Sequence, residues 1–267
     1  GNGTTLASGT TSVTNRYVMP NTDIAANISS ASNCRNGIQC DAAIPATTPI
    51  TFYCDYNNNS TPNEATDGEW IACNYVSWPD LCAYADWAGL RPFTELELEK
   101  ASRGLNTSIA NEYAWGPTAP TAGPTGPTNP GANNEIAANN ANCSYSSTIL
   151  APMRSGFAAT SSSTRYASGG SYYGIMELSG NLWERPVTVG NSTGRSFTGD
   201  HGNGALDSNG NADVGGWPGT DALGSGYRGG HCINDSSYAR VSDRYIAAIT
   251  NANRGYDLGI RCARTSP

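Results

Sequence analysis

Residues 74–104, NYVSWPDLCAYADWAGLRPFTELELEKASRG, hold the one clearly helical region of the chain. Ser77-Trp-Pro-Asp80 reads as a helix start. The Ser77 hydroxyl is placed to accept from the third helical residue, Asp80 to reach back to the cap, and Pro79 needs no N–H in a first turn. Leu81, Tyr84, Ala85 and Ala88 follow at helical spacing, and Gly89 supplies the stop. Thr94-Glu-Leu-Glu97 repeats the capping pattern, Leu96 and Leu98 lie inside the helix it opens, and Gly104 ends it. Two short helices in tandem are predicted.

Outward from this stretch, regular periodicity fades. Upstream, residues 1–66 are rich in Asn, Thr, Ser and Ala, with strand-like runs at Thr10–Val18 and Ile50–Tyr56. Cys34-Arg-Asn-Gly-Ile-Gln-Cys40 has the look of a small stapled turn around Asn36-Gly37. Downstream, residues 116–131 (GPTAPTAGPTGPTNPG) form a Pro/Thr/Gly tract. Proline removes donors and favours polyproline II, so an exposed loop, suited to O-glycosylation, is expected. Beyond it the chain is dense in Gly, with strand candidates at Gly174–Leu178, Leu182–Val189, Ser225–Arg228 and Asp257–Ala263. The fold class is α+β, compact and loop-rich. Residues 1–66 are read as an N-terminal extension and 67–267 as one domain carrying the 116–131 insertion.

Composition narrows the function. Charged residues are 14% of the 267, net charge is −7, and Lys occurs once, at Lys100. Against about 25% charge in an average soluble domain, this is a polar but weakly charged chain. No basic run exists to meet nucleic acid or an anionic membrane, and no apolar stretch approaches the ~18–20 residues of a membrane span. The eight cysteines, at 34, 40, 54, 73, 82, 143, 232 and 262, form an even set without paired zinc-type spacing. Disulfides in an oxidising compartment are the better reading, so an extracellular or cell-surface location is expected. The chain opens at Gly1 without an initiator Met or a charged-then-apolar leader, and is expected to be a processed product. Sequons head at Asn2, Asn27, Asn58, Asn59, Asn106, Asn142, Asn191 and Asn234. A chain this rich in Asn, Ser and Thr also produces sequons by chance.

Four segments together resemble the formylglycine-generating enzyme (sulfatase-modifying factor) family: residues 74–104, Asn111–Gly116 (NEYAWG), Tyr173–Arg185 (YGIMELSGNLWER) and Arg228–Arg261 (RGGHC…RVSDR…LGIR). The resemblance implies a compact variant of the C-type lectin fold. It also implies oxidation of a substrate cysteine at a copper-binding thiol pair, the fourth and ninth residues after R-G-G. Here those positions are Asn234 and Ala239, and Cys232 sits at the second. One displaced thiol does not supply two ligands. A related iron-binding branch of the fold uses three histidines, and only His201 and His231 are present. No motif supports a Ser-His-Asp site. No enzyme activity is therefore expected, and no copper, iron, nucleotide or flavin.

The resemblance also implies a calcium site made by the Glu177 and Glu184 carboxylates with the Gly180 and Leu182 carbonyls, a donor set suited to a hard cation. The competing reading has the two acids paired with Arg185 or solvent. The family's other calcium site would start at Asn142, but no acid lies between Glu135 and Glu177, so local packing is expected there. The family bridge between the first helix and the terminal strand points to Cys82–Cys262, with Cys82 one turn before the family position at Ala85. A second family bridge has lost both halves, at Ser102 and Arg244. The remaining cysteines are assigned as Cys34–Cys40, Cys54–Cys73 and Cys143–Cys232. Each closed loop is worth about 3–4 kcal/mol.

The family's opening strand and helix are not found in residues 1–66. This points to a non-catalytic secreted structural subunit of a fibre or surface assembly, or alternatively to a lectin-like module for glycan or protein. In the first case residues 4–18 would add as a strand to a neighbouring copy, head to tail, burying Val13, Tyr17 and Val18. Trp78, Trp87 and Trp183 are expected in the core.

Overall fold

Both capping boxes form. In the computed structural model, which describes residues 12, 35, 37–45 and 47–265, the first helix, α1, spans Trp78–Trp87. Ser77 Oγ accepts from Asp80 N at 3.1 Å, and Asp80 Oδ2 accepts from Ser77 N at 2.8 Å. The second, α2, spans Glu95–Arg103, with Thr94 and Glu97 exchanging the same pair of bonds and Gly104 at its end. Trp78, Leu81, Cys82 and Ala85 bury one face of α1 against Val187, Trp217 and Ala222. At about 1.5–3 kcal/mol for each large apolar side chain, this packing holds so short a helix. Buried Asp86 accepts from the N–H groups of Asn203 and Asp213 at 2.8 and 2.9 Å, tying a long loop to the helix. Tyr84 and Trp87 lie on the opposite face, 49% and 65% exposed. Trp87 is thus a correction to the expected core: the stripe that faces inward carries Leu81 and Ala85.

Extended structure is sparse. Among the described residues there are three two-stranded antiparallel sheets: β1 (Ile38–Cys40) with β2 (Phe52–Cys54), β3 (Arg91–Pro92) with β6 (Cys262–Ala263), and β4 (Pro127–Thr128) with β5 (Ile136–Ala137). Gly37, at φ +60°, makes the turn before β1, where an added Cβ would sit 2.6 Å from the Tyr56 backbone. The segment expected as strand Leu182–Val189 does pair on both sides, through Glu184↔Arg228, Val187↔Ser225 and Trp183↔Leu258. These stay single bridges because Pro186, which has no N–H, interrupts the ladder. Gly174–Leu178 is not a strand, since Glu177 at φ +56° breaks the extended run. The Pro/Thr tract is largely exposed yet pinned: it contributes β4, and Pro124 O accepts from Ser147 Oγ at 3.2 Å.

The described part of the N-terminal region is fastened to the rest. Arg35 forms a buried ion pair with Glu135, and Ser12 makes an antiparallel bridge with Ala43. Val13, Tyr17, Val18, Cys34, Asn2 and Asn27 lie outside the described residues. Among those described, no helix is long and apolar enough to cross a membrane.

Candidate functional site

The central Leu182–Thr188 segment is where the expected ligands gather. Glu177, Leu182 and Glu184 line one cavity of about 220 Å³ together with Cys73, Asn181 and Arg261. Gly180 stands just behind it. At φ +84° it turns the chain, and a Cβ there would run into the Ser144 carbonyl and come within 2.7 Å of the Cys143 sulfur. The Arg261 guanidinium donates to Glu184 Oε1 at 2.7 Å and to Met176 O at 3.1 Å. Glu177 Oε2 accepts from Gly156 N at 3.0 Å. Burial pushes the Glu177 carboxyl up to about 7, with Glu184 adding to the rise and Arg261 and Arg154 only partly opposing it.

These residues fit a hard cation. The Gly180 and Leu182 carbonyls accept no hydrogen bond from a described residue, and each glutamate keeps one oxygen without such a partner. Burial of the Glu177 carboxyl is only partly offset by the Gly156 N–H, Arg261 and Arg154, and a divalent ion would add positive charge there. Among the described residues no group of three His, Cys, Asp or Glu side chains could hold a metal, so here carbonyls have to complete the set. Arg185 is not the partner of these acids. It is fully buried, stacks over Tyr227 at 5.3 Å and donates to the carbonyls of Val76, Asn251 and Asn253. At Asn142 the side chain is used up locally, accepting from Thr121 N at 3.0 Å and donating to Tyr166 O at 2.8 Å.

Of the two positions that replace the thiol pair, Asn234 lies on the turn after Arg228-Gly229-Gly230 and Ala239 ends the short 3-10 helix Ser236–Ala239. Asn234 Oδ1 accepts from His231 N at 3.2 Å. Ala239 is buried, packs with Tyr113, Trp115 and Leu178, and its carbonyl accepts from Ser179 Oγ at 2.7 Å. The nearby Cys232 is fully buried, and burial pushes its thiol up to about 12. His231 packs against Trp183 and Tyr256 at 6.0 and 5.8 Å, and His201 Nε2 accepts from Thr265 N at 3.0 Å.

Cys54, Cys73, Cys82, Cys143, Cys232 and Cys262 stand as thiols in this structure. Cys82 and Cys262 share one core cluster, and burial and then Cys262 push the Cys82 thiol up. Cys54 acts on Cys73 in the same way, after desolvation. Cys143 instead donates to Ser179 O at 3.2 Å. Of the sequons, Asn58, Asn59 and Asn106 are exposed, and Asn191 and Asn234 are half-buried. Asn142 is a correction: it is buried with its amide nitrogen bonded, so it is not accessible to a glycan in the folded chain.

Sequence reading missed the ion cluster that holds the R-G-G turn. Buried Arg228 pairs with Glu95 at 2.6 Å and Glu99 at 2.9 Å, Arg244 reaches Glu95 at 2.7 Å, and Arg103 joins Glu99 and Glu112. The available signal was the spacing Glu95, Glu99, Arg103, which puts three charges on one face of α2.

Capped helices packed on a core of crossing loops define a compact α+β domain. Residues 57–266 match the sulfatase-modifying factor enzyme 1-like domain, and the chain belongs to that family. It is 33% identical over 117 residues to the formylglycine-generating enzyme of Mycobacterium tuberculosis, a match covering 42% of this chain and 32% of the relative. The chain therefore spans about a third of that relative's length.

Proposed function

We propose that this is a non-catalytic member of its family, working as the extracellular structural subunit of a fibre or surface assembly. The observation that carries the loss of catalysis is at Asn234 and Ala239. One position is an amide, the other a methyl packed in the core, and the neighbouring Cys232 is a single, fully buried thiol. The Glu177 and Glu184 carboxylates with the Gly180 and Leu182 carbonyls would hold a structural calcium ion, which supplies positive charge and cross-links the central segment.

The assembly reading is supported by low charge and the even cysteine set. Ser12 makes an antiparallel bridge with Ala43, and strand exchange between copies would reuse that contact. Electron microscopy and sizing of the native material, with and without residues 1–18, test this. Fibres that vanish on deletion are expected; undiminished fibres refute the strand-donor mechanism, and dispersed monomers refute the structural role.

A second reading, a lectin-like binding module, is favoured by one observation. Tyr84 and Trp87 form an exposed aromatic pair with centroids 6.3 Å apart, the kind of platform on which a sugar ring stacks. Binding on a glycan array that is lost in Trp87→Ala would select it.

A further inference from the structure

A cavity of about 500 Å³ opens where the loop that follows β2 meets the turn at residues 129–134. Its wall is made by Tyr56, Asn57, Thr66, Asn129, Pro130 and Asn134, and no charged side chain lines it. The volume falls in the range of small-molecule sites, about 300–1,000 Å³, and the wall has their make-up, apolar surface broken by a few polar groups. It shares no lining residue with the cavity that holds Glu177 and Glu184.

Buried contacts hold the two walls together. Glu135, paired with buried Arg35, accepts from Gly131 N at 2.9 Å. Ala132 N donates to Asn129 O and Glu135 N to Ala132 O, both at 3.1 Å. Gly131 stands at φ +79°, and a Cβ there would lie 2.4 Å from Thr66 O and 2.8 Å from the Tyr56 ring. Glycine is what lets this turn close on the loop. On the loop side Tyr56 N donates to Asp67 O at 3.2 Å, and the Arg35 guanidinium lies 5.6 Å from the Tyr56 ring centre. Asn57 Oδ1 accepts from Asn59 N at 3.0 Å, and its amide donates to Thr66 Oγ1 at 3.3 Å. Thr66 thereby keeps its own O–H to donate. The exposed side-chain amides of Asn129 and Asn134 make no hydrogen bond with a described residue.

We propose that this cavity binds a neutral saccharide. The Asn129 and Asn134 amides and the Thr66 hydroxyl meet its hydroxyl groups, and the Tyr56 ring and Pro130 pack against its C–H face. An amide carries donors and an acceptor side by side, which neighbouring sugar hydroxyls, each both donor and acceptor, complement. A sialylated or sulfated sugar finds no free cation here, because the Arg35 against Tyr56 is buried and paired with Glu135. The inference rests on the binding-module reading but uses a different surface from the Tyr84–Trp87 pair.

The test is an array of neutral, sialylated and sulfated oligosaccharides, probed with the full chain as wild type, Asn134→Ala, Thr66→Val and Trp87→Ala. Neutral oligosaccharides are expected to bind, and the charged ones to give no more than background. A neutral hydrogen bond is worth about 2–12-fold in affinity. Calorimetric titration with the strongest neutral binder of the array should therefore show Asn134→Ala and Thr66→Val each weaker by about that factor, and Trp87→Ala unchanged. Both substituted positions are exposed, and denaturation midpoints equal to wild type show that the variants fold. No neutral oligosaccharide bound, a preference for charged ones, or binding that Asn134→Ala and Thr66→Val leave unchanged overturns the proposal. Binding lost only in Trp87→Ala also overturns it, while leaving the binding-module reading standing at Tyr84 and Trp87.

Discussion

His231 shows how one residue's burial becomes a pH dependence. Its ring is 6% exposed, and burial holds its pKa below the ordinary 6.5, with Asp257 only partly opposing. The unfolded chain then takes up a proton at higher pH than the folded one, so stability falls as pH drops below about 6.5. Denaturant unfolding at stepped pH should show this loss, and His231→Asn should flatten it; an unaltered slope in the variant contradicts the assignment. Arg228 is a second such residue. Arg228→Met leaves Glu95 buried beside Arg244 alone, and removing one partner of a buried pair costs about 3–5 kcal/mol, here near the lower end. Adding Glu95→Gln should recover part of it. Glu184 is a third: millimolar calcium should raise the melting temperature of the wild type, as binding to the folded state requires, and Glu184→Gln should remove most of that rise. Identical wild-type melting curves in chelator and in calcium would end the idea of a cation between Glu177 and Glu184.

Elements as short as α1 and α2 depend on their ends. Thr94→Ala should cost about 1 kcal/mol through the lost cap, measurable as a shift of the denaturation midpoint. The strand and helix that close the domain are expected to be joined under oxidising conditions. Non-reducing peptide mapping should recover Cys82 with Cys262, and Cys82→Ser should cost about 3–4 kcal/mol; two free thiols there would refute the pairing. The helices were legible to the residue because Ser77, Asp80, Thr94, Glu97 and Gly104 act on their own backbone within one turn. Leu182–Val189 was legible as extended but not as isolated bridges, since those depend on Pro186 meeting Gly226 across the chain. Trp87 was misplaced because helical spacing marks a stripe without saying which of two apolar faces turns inward. The carboxylates Glu177 and Glu184 could be named from the resemblance. That Arg261 and not Arg185 stands beside them rests on the pairing of β3 with β6, which no local signal encodes.

Across the whole molecule, loops crossing at Leu182–Thr188 hold a domain whose regular elements alone would not. Charged residues make up only 14% of the chain. Ala239 fills core space, and burial pushes the Cys232 thiol up to about 12. The relative of known activity is matched over only 32% of its length, so activity has to be judged from this chain's own residues. The most direct measurement is mass spectrometry of a sulfatase-type cysteine peptide incubated with the copper-loaded chain and oxygen. The peptide should keep its cysteine unchanged; copper-dependent conversion of that cysteine to formylglycine would contradict the non-catalytic reading.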